Sequence, residues 1–272
     1  MSLTTRTARR LLRRLGYDVT RARQSTPSQP AKPAPPAARA QPKWPGDFTP
    51  EEIALCKEVR PYTMTSPEAI VTLASGVRYL ADREISGAYV ECGVWKGGSM
   101  MAVARTLLNL GRTDADLYLF DTFEGMPPPT SDDVDRSGRP AQELLDQDDD
   151  LESSRLWARA PLESVKSALD SVGYPAERLH FVQGKVEETL PDSAPERIAF
   201  LRLDTDWYES TRHELEHLWP RLQPGGILII DDYGWWNGAR KATDEFFATV
   251  QRPPFLFRVD ESGRRMAVKP EN

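Results

Sequence analysis

Apolar residues recur along this chain in two distinct spacings. Short, nearly continuous apolar runs at 88–92, 116–121, 179–184, 198–203 and 226–230 have the length and composition of buried strands. Between them, apolar positions return at the helical spacing and predict helices at 100–110, 164–172, 210–222 and 239–250. Two more helices are expected ahead of the first strand. Thr49-Pro50-Glu51-Glu52 supplies an N-cap, a first-turn proline and early acids for a helix to about Val59. Ser66-Pro67-Glu68 repeats that signal before Ile70, Leu73, Val77 and Leu80. Runs at 255–259 and 265–268, separated by Glu261-Ser262-Gly263, predict a terminal hairpin. Strands alternating with helices, closed by a hairpin, imply an α/β domain. Its sheet is mostly parallel with an antiparallel C-terminal edge, and helices cover both faces.

Outside this alternation the pattern fails in three places. Residues 1–23 set Leu11, Leu12 and Leu15 among Arg6, Arg9, Arg10, Arg13 and Arg14, a basic tail with helical spacing. It reads either as a solvated tail or as a weak contact with an anionic membrane. Residues 24–47, dominated by Pro, Ala, Ser and Gln, read as a semi-extended linker, so the folded domain is expected at 48–272. Residues 122–160 contain Pro127-Pro128-Pro129, scattered acids and little periodicity, and read as a lid-like insertion.

The whole chain of 272 residues is 39% hydrophobic, enough for a substantial core. Its net charge of -6 gives no case for nucleic-acid binding. Cys56 and Cys92 have no paired or metal-ligand spacing, which fits a reducing, cytoplasmic compartment. No apolar stretch is long enough to span a bilayer, and the basic start lacks the apolar core of a secretory signal.

The candidate chemistry sits where the strands end. Asp204-Thr205-Asp206-Trp207-Tyr208 follows the run at 198–203, and Asp231-Asp232-Tyr233 follows the run at 226–230. If those strands are neighbours, Asp204, Asp231 and Asp232 meet. Three carboxylates cannot all remain ionised together without compensation, and a hard divalent cation with oxygen ligands is the usual remedy. Gly93-Val94-Trp95-Lys96-Gly97-Gly98-Ser99 forms a glycine-rich turn from strand to helix, where a ligand can approach the backbone and meet unpaired N–H groups. Asp121 closes the next strand, the position from which an acid accepts hydrogen bonds from ribose hydroxyls. The glycine spacing departs from GxGxxG, so a nucleoside without a diphosphate is favoured over NAD. Trp235 and Trp236 follow the acids and offer aromatic faces to a sugar ring. His213 and His217 share a helix face but have no third soft ligand, and packing roles are expected for both. Lys96 and the acids at Asp148-Asp149-Asp150 read as solvated.

Together, Glu91-Cys92-Gly93-Val94-Trp95-Lys96-Gly97-Gly98-Ser99, Phe120-Asp121-Thr122-Phe123-Glu124-Gly125, Leu203-Asp204-Thr205-Asp206-Trp207-Tyr208 and Ile230-Asp231-Asp232-Tyr233 resemble the macrocin O-methyltransferase (TylF-type) family of sugar O-methyltransferases. The likeness covers roughly 63–247. It implies a class I methyltransferase fold, Rossmann-like, with S-adenosylmethionine and Mg2+ as cofactors. Carried over by position, Asp204, Asp231 and Asp232 match metal ligands, and Asp204 also matches a proposed general base. Asp121 matches the residue facing the ribose. Glu91, Gly93 and Ser99 fall in the turn near the methionine end, Thr63 and Met64 in a covering segment, and Gln183 and Gly184 in the turn near the adenine. The family often has Asp-Gly-Asp where Thr205 separates the acids here. The resemblance also suggests a homodimer or larger homo-oligomer.

The resulting expectation is metal-assisted methylation of a sugar hydroxyl on a glycosylated natural product or glycolipid. A catechol-type small-molecule acceptor keeps the same metal chemistry, and a non-catalytic nucleoside-binding scaffold is the rival of another class.

Overall fold

A computed structural model of the chain describes residues 44–148, 154 and 156–271. The basic tail and all of the linker before Trp44 lie outside the described residues, as do Asp149 and Asp150 of the acidic run. The chain divides into residues 1–45 and a second unit, 46–272, which carries the fold.

Helix α1 (Pro50–Val59) starts on a reciprocal cap, in which Thr49 Oγ1 accepts from Glu52 N at 3.2 Å and Glu52 Oε2 accepts from Thr49 N at 2.9 Å. Helix α2 (Pro67–Asp82) starts on Ser66, whose Oγ accepts from Ala69 N at 3.2 Å. Strand β1 (Ala88–Cys92), helix α3 (Gly98–Asn109) and strand β2 (Leu117–Asp121) follow as the apolar pattern predicts. After the insertion come α5 (Leu162–Asp170), β3 (Leu179–Gln183), β4 (Ile198–Leu203), α7 (Tyr208–Leu218), β5 (Leu222–Ile230), α8 (Asn237–Thr249), and the hairpin of β6 (Phe257–Arg258) and β7 (Arg265–Val268).

The sheet has seven strands in the order β3-β2-β1-β4-β5-β7-β6. β1 to β5 are mutually parallel, and β7 joins β5 antiparallel. Strand order therefore reverses beside β1, and in such sheets ligands bind outside the carboxyl ends of the strands at that reversal. On one face Val90, Cys92, Leu201, Leu203, Leu228 and Ile230 pack with Leu215 and Leu218 of α7 and Phe247 of α8. Burying each such side chain contributes roughly 1.5–3 kcal/mol.

The structure differs from the sequence expectations at several boundaries. α7 stops at Leu218 because Trp219-Pro220-Arg221 tightens into a 3-10 turn, proline having no N–H to continue the ladder. β5 begins four residues earlier than its apolar run, since Leu222 pairs with Ile198 before a register shift around the Pro224-Gly225 interruption. Two short helices, α4 (Ala141–Asp146) and α6 (Val186–Thr189), were not predicted.

The insertion is anchored rather than loose. Asp133, wholly buried, accepts from Thr130 N and Tyr208 N, both at 2.7 Å, and Pro127 O accepts from Trp207 Nε1 at 2.9 Å. Ala141 and Leu145 form a small core with Trp207, Trp236 and Ala239. No helix among the described residues is long and apolar enough to cross a membrane.

Candidate active site

The five parallel strands deliver their C-terminal ends to one edge, and a cavity of about 600 Å³ opens there. One part of its wall is the turn after β1. Gly93 has a φ of 81°, and a side chain there would run into the Asp204 carbonyl. Gly93 therefore lets the β1 turn lie against the tip of β4. Beyond it, Val94 N and Trp95 N donate to Asp121 Oδ2 at 2.6 and 3.0 Å, while Phe123 N donates to Oδ1 at 2.7 Å. Asp121 thus braces the glycine turn from the tip of β2 and still faces the cavity. Burial lifts its carboxyl above the usual range despite those three amides.

Thr63, Met64, Ser99 and Gly184 also line the cavity. The Thr63 segment lies directly on the first turn of α3, where a Cβ on Gly98 would come within 2.6 Å of both Thr63 Cβ and Tyr62 O. Glu91 and Gln183, expected near the cofactor, are not among the cavity-lining residues. Glu91 faces Arg202, its registered partner on β4, and is fully buried behind the wall. Gln183 is exposed and turns back to donate to Thr122 O at 3.4 Å.

At the tips of β4 and β5 the structure brings Asp204, Asp231 and Asp232 together, with one oxygen of each within 4.8 Å of the others. Beneath them lies a residue that the site expectations omitted. Arg202, with a side chain only 3% exposed, contacts Glu91 Oε1 at 2.6 Å and Asp204 Oδ2 at 2.7 Å, and hydrogen-bonds Asp231 Oδ1 through Nη2. Arg264, from the turn of the hairpin, donates through Nε to the same Asp231 oxygen at 2.6 Å. Burial works against the Asp231 charge, but the two guanidinium groups outweigh it and hold its carboxyl at about 2. Asp204 and Asp232 go the other way. Burial and the neighbouring carboxylates raise both well above the usual range, against the pull of Arg202 on Asp204 and of Arg264 on both.

Asp206 was part of the quoted motif but had no assigned role. Its backbone N–H donates to Asp232 Oδ2 at 3.3 Å, and its Oδ1 accepts from Trp236 Nε1 at 2.7 Å. Burial, then the Asp204 charge, push its carboxyl up to about 7. Among the described residues no basic side chain forms an ion pair with it.

The tryptophan pair divides in two. Trp236 is 3% exposed and meets Trp207 edge-on at 5.0 Å, so it belongs to the wall and to Asp206. Trp235 is 42% exposed on the cavity rim, with the Arg136 guanidinium 4.4 Å above its ring. Met126, Pro127, Leu156 and Ala158 of the insertion add apolar surface to the cavity lining. His213 and His217 pack on each other at 4.3 Å and do not line the cavity.

The acid cluster passes a chemical test for magnesium. Its donors are all carboxylate oxygens, the hard ligands this ion takes, and burial, with neighbouring carboxylates, pushes Asp204 and Asp232 towards protonation, a cost that a bound cation would offset. The arginines contact Asp231 Oδ1 and Asp204 Oδ2.

Comparison with known proteins points the same way. The family model described as macrocin-O-methyltransferase (TylF) matches residues 46–265. An 8-demethyl-8-(2,3-dimethoxy-alpha-L-rhamnosyl)-tetracenomycin-C 4'-O-methyltransferase from Streptomyces olivaceus is 36% identical over 174 residues, covering 63% of this chain and 62% of that protein. A mycinamicin III 3''-O-methyltransferase from Micromonospora griseorubida is 30% identical over 172 residues, or 63% and 65% of the two chains. The matched stretch therefore spans just under two thirds of these relatives. Among solved structures, the O-methyltransferase NovP superposes with a TM-score of 0.66 at 25% identity, over 77% of this chain and 83% of that one.

Proposed function

The chain belongs to the macrocin-O-methyltransferase (TylF) family, and from that premise we propose that it transfers a methyl group from S-adenosylmethionine to a sugar hydroxyl, with magnesium held by Asp204, Asp231 and Asp232. The acceptor is a sugar on a glycosylated natural product or glycolipid, in keeping with the rhamnosyl-tetracenomycin that one relative's name specifies. The observation that carries this reading is the juxtaposition on one cavity wall of three acids from adjacent strand ends and the glycine turn after β1.

S-adenosylmethionine, when bound, supplies an electrophilic sulfonium methyl, and a magnesium ion supplies Lewis-acid stabilisation to the hydroxyl oxygen as its charge develops. The chain's own residues do the rest. Gly93, Ser99 and the amides braced by Asp121 form the cofactor side, and Thr63 and Met64 cover it against water. Trp235 presents its exposed face to the acceptor.

The proton is assigned to Asp206 in preference to Asp204. A base must hold a free lone pair near the hydroxyl at the operating pH. Asp204 has one oxygen tied to Arg202 at 2.7 Å and is itself assigned to the ion. Asp206 lines the same cavity, pairs with no cation among the described residues, and is oriented by Trp236 Nε1.

Calorimetric titration of S-adenosylmethionine and Mg2+ into the wild type, Asp121→Ala and the Asp231→Asn/Asp232→Asn double variant tests the proposal. Wild type is expected to bind both, Asp121→Ala to bind the cofactor more weakly, and the double variant to lose only the metal. Folded wild type that binds neither overturns it. Methyl transfer to a panel of rhamnosyl glycosides and catechols then identifies the acceptor class.

A further inference from the structure

Two consecutive residues of the cofactor-covering segment are wired to one carboxylate oxygen of the acid cluster. Arg202 Nη2 donates to Asp231 Oδ1 and also to Thr65 Oγ1 at 3.1 Å. Arg264 Nε donates to that same Asp231 oxygen at 2.6 Å, while its Nη1 reaches Asp260 Oδ2 at 2.5 Å. Asp260 Oδ2 in turn accepts from Ser66 Oγ at 2.6 Å. Each path is built of charge-assisted bonds, fully buried from Thr65 through Arg202 and partly buried from Ser66 through Asp260 and Arg264.

We infer that Arg202 and Arg264 are positioning residues that register the covering segment on Asp231, so that the cation and the cofactor bind with positive coupling. The inference rests on the function proposed above and deepens it. Neither arginine needs to touch the methyl donor. A cation that fixes Asp231 also fixes the two guanidinium groups, and through them Thr65 and Ser66, immediately after the cavity-lining Thr63 and Met64. Cofactor binding must order the same segment. Whichever ligand arrives first meets that cost, and the second binds more tightly. Linkage makes the effect reciprocal.

A network that is merely structural would be equally rigid in all states and would give no coupling. The two readings separate in titrations of S-adenosylhomocysteine with and without saturating Mg2+. This probe has no sulfonium charge, so direct repulsion from the cation does not enter. In wild type, Mg2+ is expected to lower its Kd about fivefold or more, the lower end of typical couplings. Thr65→Val severs the Arg202 path and Asp260→Asn weakens the Arg264 path, and both leave the three acids in place. The quantity compared is the ratio of the Kd without Mg2+ to that with it, which does not depend on either ligand's own affinity, and in each variant it is expected to fall well below the wild-type ratio. Thermal melts confirm that both are folded. Wild type that binds both ligands with no coupling overturns this inference alone, as does a coupling unchanged in both variants. Wild type that binds neither ligand overturns the proposed function along with it.

Discussion

Replacing Arg202 by methionine removes a cation that touches three carboxylates at once. Glu91 and Asp231 are almost wholly buried, with side chains 1% and 7% exposed, so neither can turn to water when the guanidinium is gone. Breaking a buried pair from one side costs about 3–5 kcal/mol. Two features place Arg202→Met at the lower end. Arg264 still faces Asp231 at 2.6 Å. Glu91 can also shed its charge, because burial already lifts its carboxyl to about 7 against the pull of Arg202. A loss of about 3 kcal/mol corresponds to roughly 6–12 °C in Tm for a domain of this size. Without Arg202 the Glu91 pKa rises further above its unfolded value. A carboxyl raised in the folded state stabilises below its unfolded pKa, and that contribution is lost as pH rises through the folded pKa. The deficit relative to wild type should therefore grow between pH 6 and pH 8. Urea unfolding followed by tryptophan fluorescence at the two pH values measures it. The double variant Glu91→Gln/Arg202→Met should fall closer to wild type than Arg202→Met alone. A deficit under about 1 kcal/mol at pH 8, far below the expected cost of an uncompensated buried charge, or one that shrinks as pH rises, would refute the reasoning.

Trp236→Phe removes the indole donor 2.7 Å from Asp206 Oδ1 and leaves the ring volume largely filled. If Asp206 takes the proton, kcat should fall while KM for the cofactor stays put, as steady-state kinetics would show. Cys56 and Cys92 are both buried, and burial pushes the Cys56 thiol up to about 11, so a thiol reagent should modify neither in the native protein and both in denaturant. Residues 46–272 on their own should bind S-adenosylhomocysteine with unchanged affinity, since the described residues that line the cavity all lie within them. Thr205→Gly breaks the hydrogen bond from Thr205 Oγ1 to the buried Glu214 at 3.0 Å, and urea unfolding should show a loss of about 1–3 kcal/mol.

Much of this architecture was legible because apolar runs and caps act locally. β4 was expected at its observed bounds, and β1 likewise, since the β1 run lies between Gly87 and Gly93 and the β4 run between the charged Arg197 and Asp204. The three acids were legible as a group because consecutive strand tips in a parallel sheet converge, which follows from chain order once the strands are assigned. The insertion was not. Its fixed shape depends on Asp133 reaching Tyr208 N and on Trp207 Nε1 reaching Pro127 O, bonds across 75 and 80 residues that leave no period in the sequence. Arg264 was hidden for the same reason, sitting in a hairpin turn where an arginine usually faces solvent. Arg202 did leave a signal. A charged residue within a run of buried positions demands a partner, and Glu91 makes the same demand on β1. Reading the two together would have paired them, since adjacent parallel strands place them in register.

The tip of β4 shows how backbone and charge requirements are shared among neighbouring residues. Where the family often has Asp-Gly-Asp, a glycine between the acids suggests a left-handed residue at that point. Here Thr205 is not left-handed; Asp206 is, with a φ of 67°. Aspartate tolerates that region better than a β-branched residue would, so the middle position is free to carry threonine. Its hydroxyl then ties the loop to Glu214 on α7. The same twist aims Asp206 away from Arg202 and towards Trp236 and Asp232. Of the two aspartates that flank Thr205, Asp204 consequently contacts Arg202. Asp206 forms no ion pair among the described residues, and burial first of all lifts its carboxyl to about 7. A single backbone turn thus gives two carboxylates lining one cavity different partners, a guanidinium for Asp204 and an indole N–H for Asp206, while burial raises the carboxyls of both.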